Sequence, residues 1–205
     1  MSDLNQDLIN KFLKFLSQKQ YKRLKFEIDL LGDLDSQHPI IIFYYASAIA
    51  LDHKSKNEEL SFAADLFEKT YLLKKDLQSL YNMIAISFKT KIFSRVLPYI
   101  LKEHKKNEKD LNLLEGLAKI NLFLGNNLDS IKFFGKLFEL DPKRKDYRLS
   151  YLGTFNYVSN YDQKEYLKIS KKYTQIYEKN SISEKFDNKF SNDKIKIGFL
   201  SGNLK

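Results

Sequence analysis

A chain of 205 residues, 43% hydrophobic and 30% charged, has enough apolar content to bury one large core or two small ones. It contains no cysteine, which excludes disulfides, thiol nucleophiles and cysteine-ligated metals. Its net charge of +9 rests on lysine, with arginine only at Arg23, Arg95, Arg144 and Arg148. Phosphate and base forks favour arginine, so the charge points away from nucleic acid as a partner.

The opening MSDLNQDLINKFLKFL has acidic and amide residues where a secretory leader would be basic. The most apolar run, PIIIFYYASAIAL at 39–51, is too short to span a bilayer and reads as a buried helix. A cytoplasmic protein is expected. Glycine and proline are scarce, which favours long helices with short links.

Apolar residues recur at helical spacing from the start. Leu8, Phe12, Phe15 and Leu16 form a first face, and Tyr21, Leu24, Ile28 and Leu31 a second, closed by Gly32. His38-Pro39 opens a third helix to Leu51. A fourth covers roughly 57–74, with Phe62, Ala63, Leu66, Phe67 and Leu73 on its face. Further helices are predicted at about 77–89, 92–105, 110–124, 127–140, 145–158 and 162–179, and Pro98 requires a kink or a later start in the 92–105 segment. Short links between them imply antiparallel neighbours.

The clearest repeating unit begins at Leu111. Leu114, Leu117 and Ala118 take large-large-small places in its first helix; Ser130, Phe134 and Leu137 take the small-aromatic-small places of the second, with Leu137 bulkier than the usual alanine. Gly125-Asn126 supplies the turn and Pro142 the close. This resembles a tetratricopeptide repeat, a helix-turn-helix unit of about 34 residues in which small residues let facing helices approach. One unit back, from Leu77, the pattern fits through Leu80, Met83, Ile84, Val96 and Ile100 without a gap. Another, from near Pro39, fits only with a few extra residues in KSKNEEL. The fold class is therefore all-α, a right-handed solenoid of antiparallel helix pairs. Residues 1–34 read as a capping pair and 35–144 as repeats.

Phe133, Phe134, Phe138, Tyr44 and Tyr45 read as core rather than cofactor contacts. His38, His53 and His104 each lack a second ligand at metal spacing, and no phosphate loop, nucleophile–base pair or dinucleotide fingerprint occurs. No catalytic, cofactor-binding or metal-binding residue is assigned. Asn82, at the sixth place of its repeat, is a possible peptide-groove residue; Gly116 holds the equivalent place one repeat on.

After Pro142 the register shifts, because Gly153 falls one place late. A long Lys-rich helix follows, with Tyr166, Ile169, Tyr173, Ile176 and Tyr177 on one face. Then come a polar linker over 180–193 and KIKIGFLSGNLK at 194–205, whose alternation is that of a strand. This order resembles the SPINDLY-like, O-linked N-acetylglucosamine transferase family. Ser150, Phe155, Asn156, Tyr157 and Glu165 match that family's segment between repeats and catalytic region. Lys196, Ile197, Gly198, Phe199, Leu200 and Ser201 match its first catalytic strand, whereas Asn203 stands for the family's Asp and Leu204 for its Phe.

The resemblance implies linker helices at 145–179 and, at 194–205, the first strand of a truncated Rossmann-like lobe. It further implies a parent enzyme that transfers sugar from a UDP- or GDP-sugar to protein Ser or Thr, with the family's histidine falling just beyond Lys205. These 205 residues would then recruit a protein or peptide acceptor in a concave groove and be inactive alone. The alternative is a free-standing tetratricopeptide adaptor for protein–protein interaction. A nucleic-acid-binding solenoid, the third possibility, would lose affinity steeply with salt.

Overall fold

The computed structural model describes residues 6–159 and 162–178. Ten α-helices follow one another there: α1 (Gln6–Ser17), α2 (Tyr21–Asp29), α3 (Pro39–Leu51), α4 (Asn57–Lys74), α5 (Leu77–Thr90), α6 (Leu97–His104), α7 (Leu111–Phe123), α8 (Asn127–Leu140), α9 (Lys145–Thr154) and α10 (Gln163–Glu178). Single 3₁₀ turns sit at Leu34–Ser36 and Phe155–Tyr157, and no strand occurs among the described residues. The strand expected at 194–205 lies outside those residues. The chain divides into two units, residues 1–166 and 167–205.

In the first unit most consecutive helices pack against one another. The closest partners are α3 with α4, α7 with α8, and α4 with α5; α3 also touches α5, and α5 touches α7. The start signals are those the sequence carries. Asp76 accepts from the amides of Gln78 and Ser79, Asp110 from those of Asn112 and Leu113, and Pro39 occupies the first turn of α3 behind His38. Pro98 gives a late start rather than a kink. Lys91 adopts a left-handed conformation (φ 63°) after α5, and α6 begins only at Leu97, with the proline in its first turn.

The core falls into three buried clusters, bridged by the partly buried Leu34, Tyr45 and Phe133, because the inner helices are buried on two sides. Ile41, Tyr44 and Ala48 of α3 pack back against Phe12, Phe15, Leu24 and Ile28 of the first pair. Ile42, Ala46 and Ile49 of the same helix pack forward among Leu60, Ala63, Phe67, Leu80 and Met83. That is why 39–51 is apolar all round rather than on one stripe. At the far end Leu114 and Ala118 of α7 join Phe134, Leu137 and Tyr147. Small residues stand where helices cross: Ala46, Ala63 and Ala118 are wholly buried. Ser130 is too, and its hydroxyl donates to the Ala118 carbonyl at 2.9 Å.

The face expected for α4 is only partly right. Ala63, Leu66 and Phe67 are buried, but Phe62 and Leu73 are 45% and 59% exposed, and Leu60, Ala64, Thr70 and Tyr71 take the core positions instead. The helix packs on α3 along one side and α5 along another, so its buried arc is wider than a single stripe and turned from the apolar count.

Tyrosine–carboxylate bonds link successive pairs. Tyr71 of α4 donates to Glu103 of α6 at 2.6 Å, and Tyr99 of α6 donates back to Glu68 of α4 at 2.5 Å. Arg95 closes the second link by pairing with both Glu68 and Asp65. Burial pushes the Glu68 carboxyl up, but hydrogen bonds from Tyr99 and Arg95 outweigh it and hold the group below its ordinary range. Hydrogen bonds from Lys106 and Tyr71 do the same for Glu103, against the push of burial.

Two outcomes are expected. Phe67→Ala should cost about 3–5 kcal/mol by emptying a fully buried site, while Phe62→Ala should stay within about 0.5 kcal/mol, as read by thermal or urea unfolding. Because Glu68 and Glu103 have folded values below their unfolded ones, their contribution is present above the ordinary carboxylate range. It is lost as pH falls through the lower folded values, so the thermal midpoint should decline on acidification below about pH 4.5, and less so in Glu68→Gln.

Candidate functional site

The helices α3, α5 and α7 lie side by side, and α5 is flanked by a cleft on each side. Along α5, Leu80, Met83, Ile84 and Ser87 are buried, while Gln78, Asn82, Ala85 and Lys89 lie at least partly open to solvent at helical spacing. Those open positions form a stripe that runs past both clefts.

The first cleft, of about 480 Å³, lies between the N-terminal ends of α3 and α5. Ile9, Pro39, Ile40, Phe43 and Tyr44 supply an apolar wall, and Thr70, Lys74, Asp76, Gln78 and Ser79 a polar one. That polar wall is largely satisfied from within. Thr70 and Ser79 share a 2.7 Å hydroxyl–hydroxyl bond, and Asp76 caps α5 and accepts from the Ser79 hydroxyl at 2.9 Å. Gln78 and Lys74 are left at the rim.

The second cleft, of about 210 Å³, lies between α5 and α7 and is lined by Tyr81, Ala85, Phe88, Asn112, Glu115 and Lys119, with Ile84 and Gly116. Gly116 sets its depth: a Cβ there would meet Ile84 at 3.3 Å and Ile100 at 3.6 Å. The missing side chain lets α7 close on α5. Tyr81 donates to Asp110 at 2.5 Å, so one carboxylate both caps α7 and anchors the wall of the cleft. Burial and this bond push the Tyr81 hydroxyl up to about 12.

Glu115 is held by three groups. Lys119 pairs with it one turn on, Tyr147 of α9 donates to it at 3.1 Å, and Arg144 lies 3.5 Å away while stacking on the Tyr147 ring at 4.1 Å. Burial and Glu115 push the Tyr147 hydroxyl to about 12 as well. The cleft therefore presents a lysine, an amide and two aromatic edges around a charge that is already neutralised.

Asn82 is half-buried on the α5 stripe, and its side-chain oxygen accepts from Gln78 at 3.4 Å. Its amide nitrogen has no protein partner among the described residues. Ala85, Gln78, Tyr81 and Lys119 were not singled out from the sequence, although a polar or small residue every third or fourth place on an otherwise apolar helix is a readable signal.

Of the family-signature residues, Phe155 is buried and edge-on to Tyr151 and Tyr166 at 5.4 and 5.6 Å. The Ser150 carbonyl accepts from Thr154, Asn156 is exposed, and the carbonyl of the exposed Tyr157 accepts from Asn127 at 2.9 Å. Ile197, Gly198, Ser201 and Asn203 lie outside the described residues. The structure does not bring Ser150, Phe155, Asn156 or Tyr157 to either cleft. His38 caps α3, His53 is exposed, and His104 packs edge-on to Phe133 at 5.7 Å. No group of His, Asp and Glu among the described residues is placed to hold a metal ion, and no described helix is long and apolar enough to cross a membrane.

No protein-family model matches the chain, and no curated protein matches it. Solved structures do. A mutant form of MamA aligns over 84% of this chain and 92% of its own, at 14% identity and a TM-score of 0.67. A MamA RS-1 double mutant aligns over 84% and 93%, at 15% identity and a TM-score of 0.68. YrrB, described as a tetratricopeptide-repeat protein with an unusual peptide-binding site, aligns over 84% and 86%, at 20% identity and a TM-score of 0.64. The fold is that of a tetratricopeptide solenoid.

Asp110→Ala should lower stability by about 2 kcal/mol, since it removes two cap bonds and the partner of Tyr81. The same change should bring the Tyr81 ionisation part of the way back toward 10, the remainder being the effect of burial. Alkaline absorbance titration of the variant and the parent checks it.

Proposed function

We propose that this chain is a peptide-binding repeat module whose ligand, an extended segment of another protein, lies along the exposed stripe of α5 between the two clefts. The observation that carries the reading is the disposition of that stripe. Gln78, Asn82 and Ala85 face outward in register with an apolar cleft at one end and a polar-rimmed one alongside. An extended backbone has amides and carbonyls to satisfy, and side-chain amides at Gln78 and Asn82 offer both donors and acceptors. Apolar side chains of the segment would enter beside Ile40 and Phe43. YrrB's described peptide-binding site, on a fold of the same class, adds support to a peptide ligand.

The finer reading is that the bound segment is an acceptor for glycosylation, delivered to a SPINDLY-like transferase of which these residues are the repeat region. It rests on the order of the signatures, Ser150 to Tyr157 and then Ile197, Gly198 and Ser201. In that reading the UDP- or GDP-sugar is handled by parts of a longer protein, and the present chain binds acceptor without transferring sugar. A free-standing adaptor is the second reading, favoured by a groove that needs no catalytic partner to be useful.

Selection of peptides from a displayed random library on the full chain tests the binding function. Selected peptides should bind the parent and lose about tenfold or more in affinity to Ala85→Arg, which fills the second cleft from an exposed helix position, and to Ile40→Asp at the first. Peptides that bind both variants as well as the parent would refute the groove. Incubating the chain and a selected peptide with UDP- and GDP-sugars should yield no glycosylated product.

A further inference from the structure

A second cleft system lies away from the α5 stripe, at the edge where the α1–α2 turn meets the C-terminal end of α3. It encloses about 590 Å³ and is lined by Lys19, Tyr21, Lys22, Arg23, His53 and Lys54, with Leu51 exposed beside them. Lys19 is exposed and has a left-handed backbone (φ 57°), and Lys22 and Arg23 occupy the first turn of α2. That turn carries no acidic residue and no side-chain cap. Cations there add to the positive end of the helix dipole instead of offsetting it, an arrangement that is unfavourable on its own.

Several basic groups elsewhere in the molecule are matched: Arg95 with Asp65 and Glu68, Arg144 with Glu115 and Asp146, Lys69 with Asp35, Lys11 with Glu27. Among the described residues, Lys19, Lys22 and Lys54 have no ion-pair partner, and Arg23 only stacks over the Phe15 ring at 4.9 Å. The single carboxylate in the lining is Asp52, whose oxygen is engaged by the Lys54 amide at 3.0 Å. Four basic side chains thus line one concave site against a single carboxylate, with an exposed leucine and a half-buried tyrosine beside them.

We propose that this cleft is a second binding site, which takes an acidic, leucine-containing peptide segment of a partner protein. Its carboxylates meet Lys19, Lys22, Arg23 and Lys54, and its apolar side chain lies on Leu51 and Tyr21. A peptide fits better than nucleic acid for two reasons. The site is a short open cleft rather than a stripe that could track a phosphate backbone, and its only guanidinium is already stacked on Phe15. The location is separate from the α5 stripe, so a ligand here and one there are compatible.

The test is fluorescence anisotropy of the full chain with a labelled peptide of alternating Glu and Leu, at roughly 50 and 200 mM salt. Binding at the lower salt should weaken at the higher, because exposed charges are screened over about 10 Å. Lys22→Glu combined with Arg23→Glu and Lys54→Glu should lose affinity by about tenfold or more. An equal change of charge on the opposite edge, Lys102→Glu with Lys105→Glu and Lys109→Glu, should leave it within about twofold. Circular dichroism of both triple variants confirms that they remain helical. Absence of binding at low salt, equal loss in the two variants, or tighter binding of a DNA duplex than of the peptide would each overturn the proposal.

Discussion

Two helices can approach to the distance of a tight crossing only where one of them carries a small side chain, and the rest of this structure follows from where those residues fall. Ala46, Ala63 and Ala118, with Ser130 and Gly116, are buried in the stack, and Gly116 and the Ser130–Ala118 contact mark close approaches of two helices. Ile84 and Ile100 face Gly116, where a side chain would hold the helices apart. Once a pair closes in this way it still has an uncovered apolar face on either side. The α3 helix shows the consequence, with Ile41 and Ala48 turned to one neighbour and Ile42 and Ile49 to the other. A pair of this kind cannot finish burying itself, so stacking is obligatory and the chain becomes a solenoid.

Apolar packing fixes which faces meet but leaves rotation between pairs soft, and directional bonds remove that freedom. Tyr71 to Glu103 and Tyr99 to Glu68 cross between the same two helices in opposite directions, which resists both sliding and twisting. Tyr81 to Asp110 and Tyr147 to Glu115 act similarly between α5 and α7 and between α7 and α9. Hydrogen bonds to charged groups contribute roughly 1.5–3 kcal/mol when partly buried, enough to specify an angle without dominating stability. The shape of the cleft between α5 and α7 is inherited from these bonds, since two of its walls, Tyr81 and Glu115, take part in them.

The helices were legible in the sequence because their signals are local. Pro39 at a first turn, Gly32 as a stop and the 3.6-residue period each lie within a few residues of what they specify. Direction of burial was less legible wherever a helix has more than one packed side. Phe62 and Leu73 fit an apolar stripe by counting, yet the true arc of α4 runs through Leu60, Ala64 and Tyr71 because α3 and α5 approach from different angles. The tyrosine–carboxylate bonds were not legible at all. Their partners stand about one repeat apart, and a tyrosine at a core position looks the same whether or not its hydroxyl reaches an acid. Asn82 could be placed on the open stripe by repeat register alone, whereas the clefts beside it arise from three helices meeting and have no sequence pattern of their own.

That division between packed and open positions also locates where specificity can reside. The buried positions of α5 are committed, since Leu80, Met83 and Ile84 are each in contact with neighbouring helices and a change in size would disturb the stack. Gln78, Asn82 and Ala85 carry no such obligation, and neither do Lys22 or Lys54 at the edge. A solenoid can therefore alter what it recognises without altering how it folds. A glutamine or asparagine on the α5 stripe is not required by packing, and a cluster of unmatched lysines is opposed by electrostatics. Positions that the fold does not need are the ones where the proposed contacts with other molecules fall.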